Sequence, residues 1–223
     1  MKAWQMPELG DPWEKMTLSE VAPPDLAEGV VRIAVEATDL NFADILQCQG
    51  NYQVKLEPPF VPGMGAAGRV LEAAPDIDLE VGQRVVGPTV APGGGYAEQA
   101  LLLGEQVTKL SDAVDPLKAV ALHVTYGTAW FGLHHRGHLQ PGETVLVLAA
   151  AGGGGAAALE LAKIHGCWVV AAAGSEQKCQ VCRQLGADEV VDYDSEDLYE
   201  RVMSLTQGRG VDVIYDPVGG RYF

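Results

Sequence analysis

Thr144-Val145-Leu146-Val147-Leu148-Ala149-Ala150-Ala151-Gly152-Gly153-Gly154-Gly155 is the stretch that decides the fold. Residues 144–149 are apolar without polar alternation, as in a strand buried on both faces of a parallel sheet. Consecutive glycines follow, and residues 156–165 then carry a helical pattern. Strand, glycine loop and helix in that order make a seat for a phosphate. A β-carbon in the loop would hold a pyrophosphate away from the backbone N–H groups and the positive end of the helix. Gly152 and Gly155 have the spacing of the second and third glycines of a dinucleotide-binding loop, with Gly153 and Gly154 between them. A glycine run alone also suits a flexible linker, but the flanking strand and helix argue against that.

Toward the C-terminus the unit repeats. Residues 167–172 read as strand, 176–185 as helix, 189–192 as strand, 197–206 as helix and 211–215 as strand. That rhythm predicts the first half of a doubly wound α/β sheet, incomplete because a full sheet of this kind carries about two more strands. Toward the N-terminus the texture changes. Short apolar runs at 30–35, 68–73, 83–86 and 96–103 stand among Pro23-Pro24, Pro58-Pro59, Pro62-Gly63 and Pro92-Gly93-Gly94-Gly95. They predict an all-β, barrel-like domain. Asp115-Pro116 opens a helix, and a second candidate helix runs from Thr125 toward His138. The expected organisation is a barrel-like domain over 1–114 and a partial nucleotide-binding domain over 115–223.

The 223 residues include 15 Lys and Arg against 30 Asp and Glu, a formal net charge of −15. This balance repels phosphate backbones and anionic lipid, so neither nucleic acid nor membrane is an expected partner. One local basic spot for a small anion remains compatible with it. No stretch reaches transmembrane length, and Met1-Lys2-Ala3-Trp4-Gln5 lacks a signal peptide's apolar core. Cys48, Cys167, Cys179 and Cys182 do not form a secreted disulfide pattern, and a cytoplasmic location is expected. Cys179-x-x-Cys182 falls mid-helix without a second pair and reads as two helix-face thiols. His134 and His138 share a helix face but lack an acidic partner, so no metal site is expected.

Cofactor choice is set where the second strand ends, at Ala173-Gly174-Ser175-Glu176-Gln177-Lys178. An acidic residue about 20 positions after the glycines would take the free ribose hydroxyl of NAD. Glu176 is the candidate for that, but it falls a turn late and begins the helix. Gly174, the Ser175 hydroxyl and the Lys178 ammonium suit a ribose phosphate, and Tyr193, ending the third strand, can pack beside the adenine ribose. This set favours NADPH. The plainer alternative makes Ser175 a helix N-cap and Lys178 a solvated surface residue.

Gly142-Glu143-Thr144-Val145-Leu146, Ala150-Ala151-Gly152-Gly153-Gly154-Gly155 and Lys163 resemble the signature of the zeta-crystallin-like quinone oxidoreductases, zinc-free members of the medium-chain dehydrogenase/reductase superfamily. Gly154 stands where that family usually has Val, which would loosen the helix start, and Glu160 where Gln is typical. Asp39-Leu40-Asn41-Phe42-Ala43-Asp44-Ile45-Leu46 and Gly50-Asn51-Tyr52 resemble its segment lining the nicotinamide and substrate pocket. Pro59-Phe60-Val61-Pro62-Gly63, Gly68, Val81-Gly82-Gln83-Arg84-Val85 and Gly95-Tyr96-Ala97-Glu98 resemble its barrel domain. The resemblance implies a mixed architecture, a GroES-like β-barrel catalytic domain with a Rossmann nucleotide-binding domain. It further implies a C-terminal truncation, because the family returns to the catalytic domain after the sheet and forms a homodimer through the sheet's far edge. Thr125 resembles the family's threonine near the nicotinamide; an N-cap hydroxyl is the alternative. Gly65 occupies a place usually held by Glu, and losing that carboxylate would leave a neighbouring Arg or backbone group unpaired. Leu46 replaces an aromatic found in some members.

Zinc dehydrogenases of the superfamily need Cys, His and carboxylate ligands to polarise an alcohol oxygen. Met64-Gly65 and Asn41 stand in those places here, so zinc alcohol chemistry is not expected. Reduction of an activated acceptor fits better, a hydride passing from NADPH to a quinone or an α,β-unsaturated carbonyl. Asn41 is the candidate polar anchor and Tyr52 the candidate carbonyl donor. The alternatives are a turn-forming amide at 41 and a phenol at 52 that only shapes a pocket. At the level of the chain, the alternative is a truncated, non-catalytic nucleotide-binding or structural fragment.

Overall fold

The computed structural model describes residues 1–220; of the expected domain over 115–223, the last three residues lie outside the described ones. The chain divides into two units, Met1–Val124 and Thr125–Phe223.

The first unit holds a five-stranded antiparallel sheet in the order β6-β3-β4-β5-β7 and a separate β1-β2 hairpin. Its strands are β1 (Lys2–Gln5), β2 (Thr17–Glu20), β3 (Val30–Thr38), β4 (Gly65–Ala73), β5 (Arg84–Pro88), β6 (Gln99–Leu103) and β7 (Thr108–Lys109). Alternate residues of neighbouring strands, among them Val31, Ile33, Val70, Val85 and Leu102, meet in one apolar core, as a sheet with one buried face requires. Two helices interrupt the expected all-β reading: α1 (Pro12–Lys15) and α2 (Phe42–Cys48). The second has a local cause in the capping box that Asn41 forms with Asp44. Helix α3 (Pro116–Ala121) opens as Asp115-Pro116 predicts, the Asp115 carboxylate accepting the Leu117 N–H at 2.9 Å. Its Ala119 and Val120 pack on Ala37, Ala67 and Val86. This packing carries the first unit past the expected 114/115 boundary to Val124.

The second unit is a parallel sheet in the order β10-β9-β8-β11. It comprises β8 (Thr144–Val147), β9 (Trp168–Ala173), β10 (Glu189–Asp192) and β11 (Val213–Tyr215), with α4 (Gly127–Trp130), α5 (Gly153–Ile164), α6 (Glu176–Gln184) and α7 (Leu198–Leu205). Strands β8 and β9 bury both faces. Val145, Val147, Val169 and Ala171 face a core with Leu159, Ala162 and Cys182, while Leu146, Val170 and Ala172 face another with Val191 and Val202. That double burial is why 144–149 shows no polar alternation. Helix α5 begins at Gly153, ahead of the expected start at 156, and takes three glycines into its first turn. Glycine costs a helix about 1 kcal/mol relative to alanine, but Ala157, Ala158, Leu159 and Ala162 are buried against the sheet and override it. β11 joins β8 on the side away from β9, so the strand order reverses beside β8. Ligands of open α/β sheets collect at the carboxyl ends of strands next to such a reversal. Among the described residues, no helix is long and apolar enough to cross a membrane.

Candidate functional site

The glycine segment starts from a strained residue. Ala149 has a φ of 48°, in the left-handed region that side chains with a β-carbon avoid. Gly152 then caps α5 in extended conformation without any side-chain cap bond. The first-turn N–H groups of a helix have no partner inside it, so those of α5 stay available to a ligand or solvent. The glycines divide into two kinds. A β-carbon at Gly153 would come no closer than 3.6 Å to anything, the nearest atom being Thr125 Cγ2, and one at Gly154 no closer than 3.8 Å, to Tyr215 Oη. A β-carbon at Gly155 would stand 2.3 Å from Ala149 O and 2.7 Å from Ala150 Cα. Gly155 is therefore demanded by close packing of helix on strand, and Gly153 and Gly154 leave open backbone.

A hollow of about 170 Å³ lies over this segment, lined by Ala149, Ala151, Gly152, Ala173, Lys178 and Tyr193. Gly174 makes room for the tyrosine, since a β-carbon there would meet Tyr193 Cε2 at 2.8 Å and Asp194 Oδ2 at 2.9 Å. Ser175 caps α6, its hydroxyl oxygen accepting the Lys178 N–H at 3.3 Å. The cap alternative is thus realised, and the hydroxyl keeps its own proton to donate. Lys178 is exposed and makes no ion pair among the described residues. Glu176 is held by Arg183 at 2.7 Å. Thr125 lies inside a wide helical turn, Leu122–Tyr126, not at a helix start, so the N-cap alternative does not apply to it. Next to it the Tyr126 hydroxyl donates to the Glu160 carboxylate, a pairing that the sequence alone does not announce. That bond, first of all, pushes the Tyr126 phenol up to about 12.

In the first unit, Asn41 caps α2. Its N–H donates to Asp44 Oδ2 at 2.7 Å, and Asp44 Oδ1 accepts the Met64 N–H at 3.1 Å. Asn41 lines a hollow of about 330 Å³ with Met16, Ile45, Cys48 and Tyr96. Tyr52 lines a different one of about 420 Å³ with Val54, Leu56, Met64 and Val90. The two candidates for the acceptor oxygen are not brought into one hollow. Around Asn41 stand groups that sequence reading passed over. Both carboxyl oxygens of Asp39, Nδ2 of Asn41 and the Tyr96 hydroxyl oxygen are buried with no hydrogen-bond partner among the described residues. Burial raises the Asp39 and Asp44 carboxyls above the ordinary aspartate range. Burial, and then the Asp44 charge, pushes the Tyr96 phenol far up. At Gly65, the atoms nearest a β-carbon would belong to Asp39 and Val124.

No group of three or more His, Cys, Asp or Glu side chains is placed to hold a metal ion among the described residues. Cys179 and Cys182 are buried on one face of α6, and burial raises both thiols, Cys182 to about 11. Thiols in that state are poor nucleophiles, in keeping with two helix-face residues.

Residues 27–112 match the family model described as an alcohol dehydrogenase GroES-like domain. Residues 153–223 match the one described as a zinc-binding dehydrogenase. The chain is 43% identical over 211 residues to quinone oxidoreductase-like protein 2 of Bos taurus, covering 93% of this chain and 60% of that protein. It is 40% identical over 218 residues to the homologous protein of Nematostella vectensis, covering 97% of this chain and 59% of the other. It thus spans about three fifths of the length of these curated relatives. Among solved structures it resembles the quinone oxidoreductase of Thermus thermophilus, determined alone and with NADPH. The TM-score is 0.82 at 35% identity, over 100% of this chain and 68% of that one. Barrel, parallel sheet and glycine segment agree with these likenesses, and the chain belongs to the quinone oxidoreductase-like family of medium-chain dehydrogenases and reductases.

Proposed function

We propose that this chain is part of an NADPH-dependent reductase, a cytoplasmic homodimer when whole, whose acceptor is a quinone or an α,β-unsaturated carbonyl and which works without zinc. The observation that carries the reading is the hollow at the end of β8, where bare backbone at Gly152 meets Lys178 and Tyr193. A diphosphate suits that seat because the free N–H groups and positive end of α5 open there. Lys178 is the cation for a ribose phosphate, and Ser175 can donate its hydroxyl proton to the same group. Glu176, the residue that would take a free ribose hydroxyl instead, is occupied by Arg183. Tyr193 supplies a flat face for the adenosine, and Thr125 borders the glycine segment at Gly153.

When bound, the dinucleotide supplies the hydride. The chain's own part is to hold both reactants still and to place a hydrogen-bond donor where negative charge develops. Since Asn41 and Tyr52 line separate hollows, one of them serves the acceptor oxygen. Asn41 is preferred, because its buried Nδ2 has no partner among the described residues. The test is NADPH consumption with 1,4-benzoquinone, by this chain and by one lengthened to the size of its relatives, beside direct binding of NADPH and NADH. Tighter binding of NADPH and turnover by the lengthened chain are expected. Folding and nucleotide binding without turnover in either chain would leave the non-catalytic reading standing. Stoichiometric zinc on metal analysis would overturn the zinc-free part.

A further inference from the structure

Asp39 fills the space that Gly65 leaves open. A β-carbon at Gly65 would stand 2.9 Å from Asp39 Oδ1, 3.3 Å from Asp39 Cγ and 3.1 Å from Val124 Cγ2. Gly65 is buried and lies outside the left-handed region, so backbone conformation does not call for glycine there; the Asp39 carboxyl does. Two residues on from Asp39, the Asn41 amide has one end in the capping box with Asp44. Its oxygen faces the Asp44 N–H in the capping box, while Nδ2 is buried and unpartnered among the described residues. Both Asp44 oxygens already accept, from the Asn41 and Met64 N–H groups. Asp39 keeps both oxygens buried and unused. Leaving a buried donor and a buried acceptor both unmet is costly, and neighbours of this kind gain by pairing. Burial holds the Asp39 carboxyl up and the nearby Asn41 amide pulls it down, while the Asp44 charge adds to the rise.

We propose that Asp39 is a positioning residue for Asn41: its ionised carboxyl, seated beside Gly65, accepts from one N–H of the Asn41 amide and so aims the other at the acceptor oxygen. This rests on the reading of Asn41 as the polar anchor. Protonating Asp39 takes away the charge that strengthens this bond and adds a donor beside the amide, so the aimed amide persists above the Asp39 pKa and is lost as pH falls through it. The titratable groups facing this cluster are Asp44 and Cys48 of α2 and Tyr96 of the segment ahead of β6; Thr38 and Val124 bring no charge. Gly65 is coupled to the device, because any larger residue there displaces the carboxyl.

The decisive measurement is the pH dependence of the Asn41 side-chain amide signals in isotope-labelled protein, identified by their loss in Asn41→Ser. The signals should titrate with a midpoint above the ordinary aspartate value of about 4, and Asp39→Asn should abolish that titration. Asp39→Asn should also lower kcat/KM for 1,4-benzoquinone roughly tenfold and flatten its acid limb. Gly65→Ala keeps the carboxyl but crowds it, and should move the amide signals toward those of Asp39→Asn even where that variant folds poorly. An Asn41 amide that does not titrate, or that titrates unchanged in Asp39→Asn, overturns the proposal. Because this readout needs no turnover, the two readings fail separately. Titration through Asp39 in a chain that reduces no quinone removes the catalytic role and keeps the pairing; normal quinone reduction without titration does the reverse.

Discussion

At the scale of single residues, charge and space decide the chemistry. Lys178 is the cation on the hollow, and a charge-assisted hydrogen bond contributes about 1.5–3 kcal/mol. Lys178→Ala should therefore weaken NADPH binding tenfold or more, by roughly 1.4 kcal/mol per tenfold, while calorimetry shows NADH binding almost unchanged. Asp39 gives a prediction for stability. Its folded pKa is raised, so its contribution is fully present below the unfolded pKa and falls away as pH rises through the folded one. Asp39→Asn should accordingly raise the melting temperature near neutral pH, with the difference closing below about pH 4. The proposed roles of Lys178, Ser175 and Tyr193 start from the sequence, because residue type and place at a strand end suffice to suggest them. Asp39 was not. Its meaning depends on Gly65, which is distant in the chain and adjacent only after β4 forms.

Among elements, the junction of β8 and α5 has two kinds of glycine, and they predict opposite outcomes. Gly155→Ala would press a β-carbon against the backbone of Ala149 and Ala150, which cannot rotate away. Overpacking of that kind costs about 1–3 kcal/mol, and the melting temperature should drop. Gly153→Ala meets nothing closer than 3.6 Å. It should stabilise α5 by about 0.5–1 kcal/mol and yet weaken NADPH binding, because the new methyl group stands on open backbone. Thermal melts and NADPH titrations of the pair check both signs. The parallel strands were readable because burial on both faces leaves an unbroken apolar run. Helix α2 was not, because it is short and announces itself only through Asn41-x-x-Asp44. The true start of α5 was hidden as well, since glycines argue against helix locally and only packing on the sheet reverses that.

At the scale of the whole molecule, the two units own separate cores. Cys48 sits with Met6 and Phe60 in the first, and Cys167, Cys179 and Cys182 lie in the second. All four thiols are buried, and burial raises each of them. The folded chain should leave a thiol reagent unconsumed. Rising denaturant should release Cys48 at a midpoint different from the other three, as expected when a chain does not unfold in a single step. A single shared midpoint would show that the units unfold together. The barrel and the sheet were both foreseeable from texture, whereas the limit between them was not. It is fixed by Ala119 and Val120 packing on the barrel, which no change of composition marks.

The seat at residues 152–154 is built from atoms that every amino acid possesses. Trimming side chains one by one cannot silence it, because there is nothing to trim. A subtractive survey would register Lys178 but pass over the backbone seat proposed beside it, and only added bulk, or a proline that deletes an N–H, would bring that seat to light.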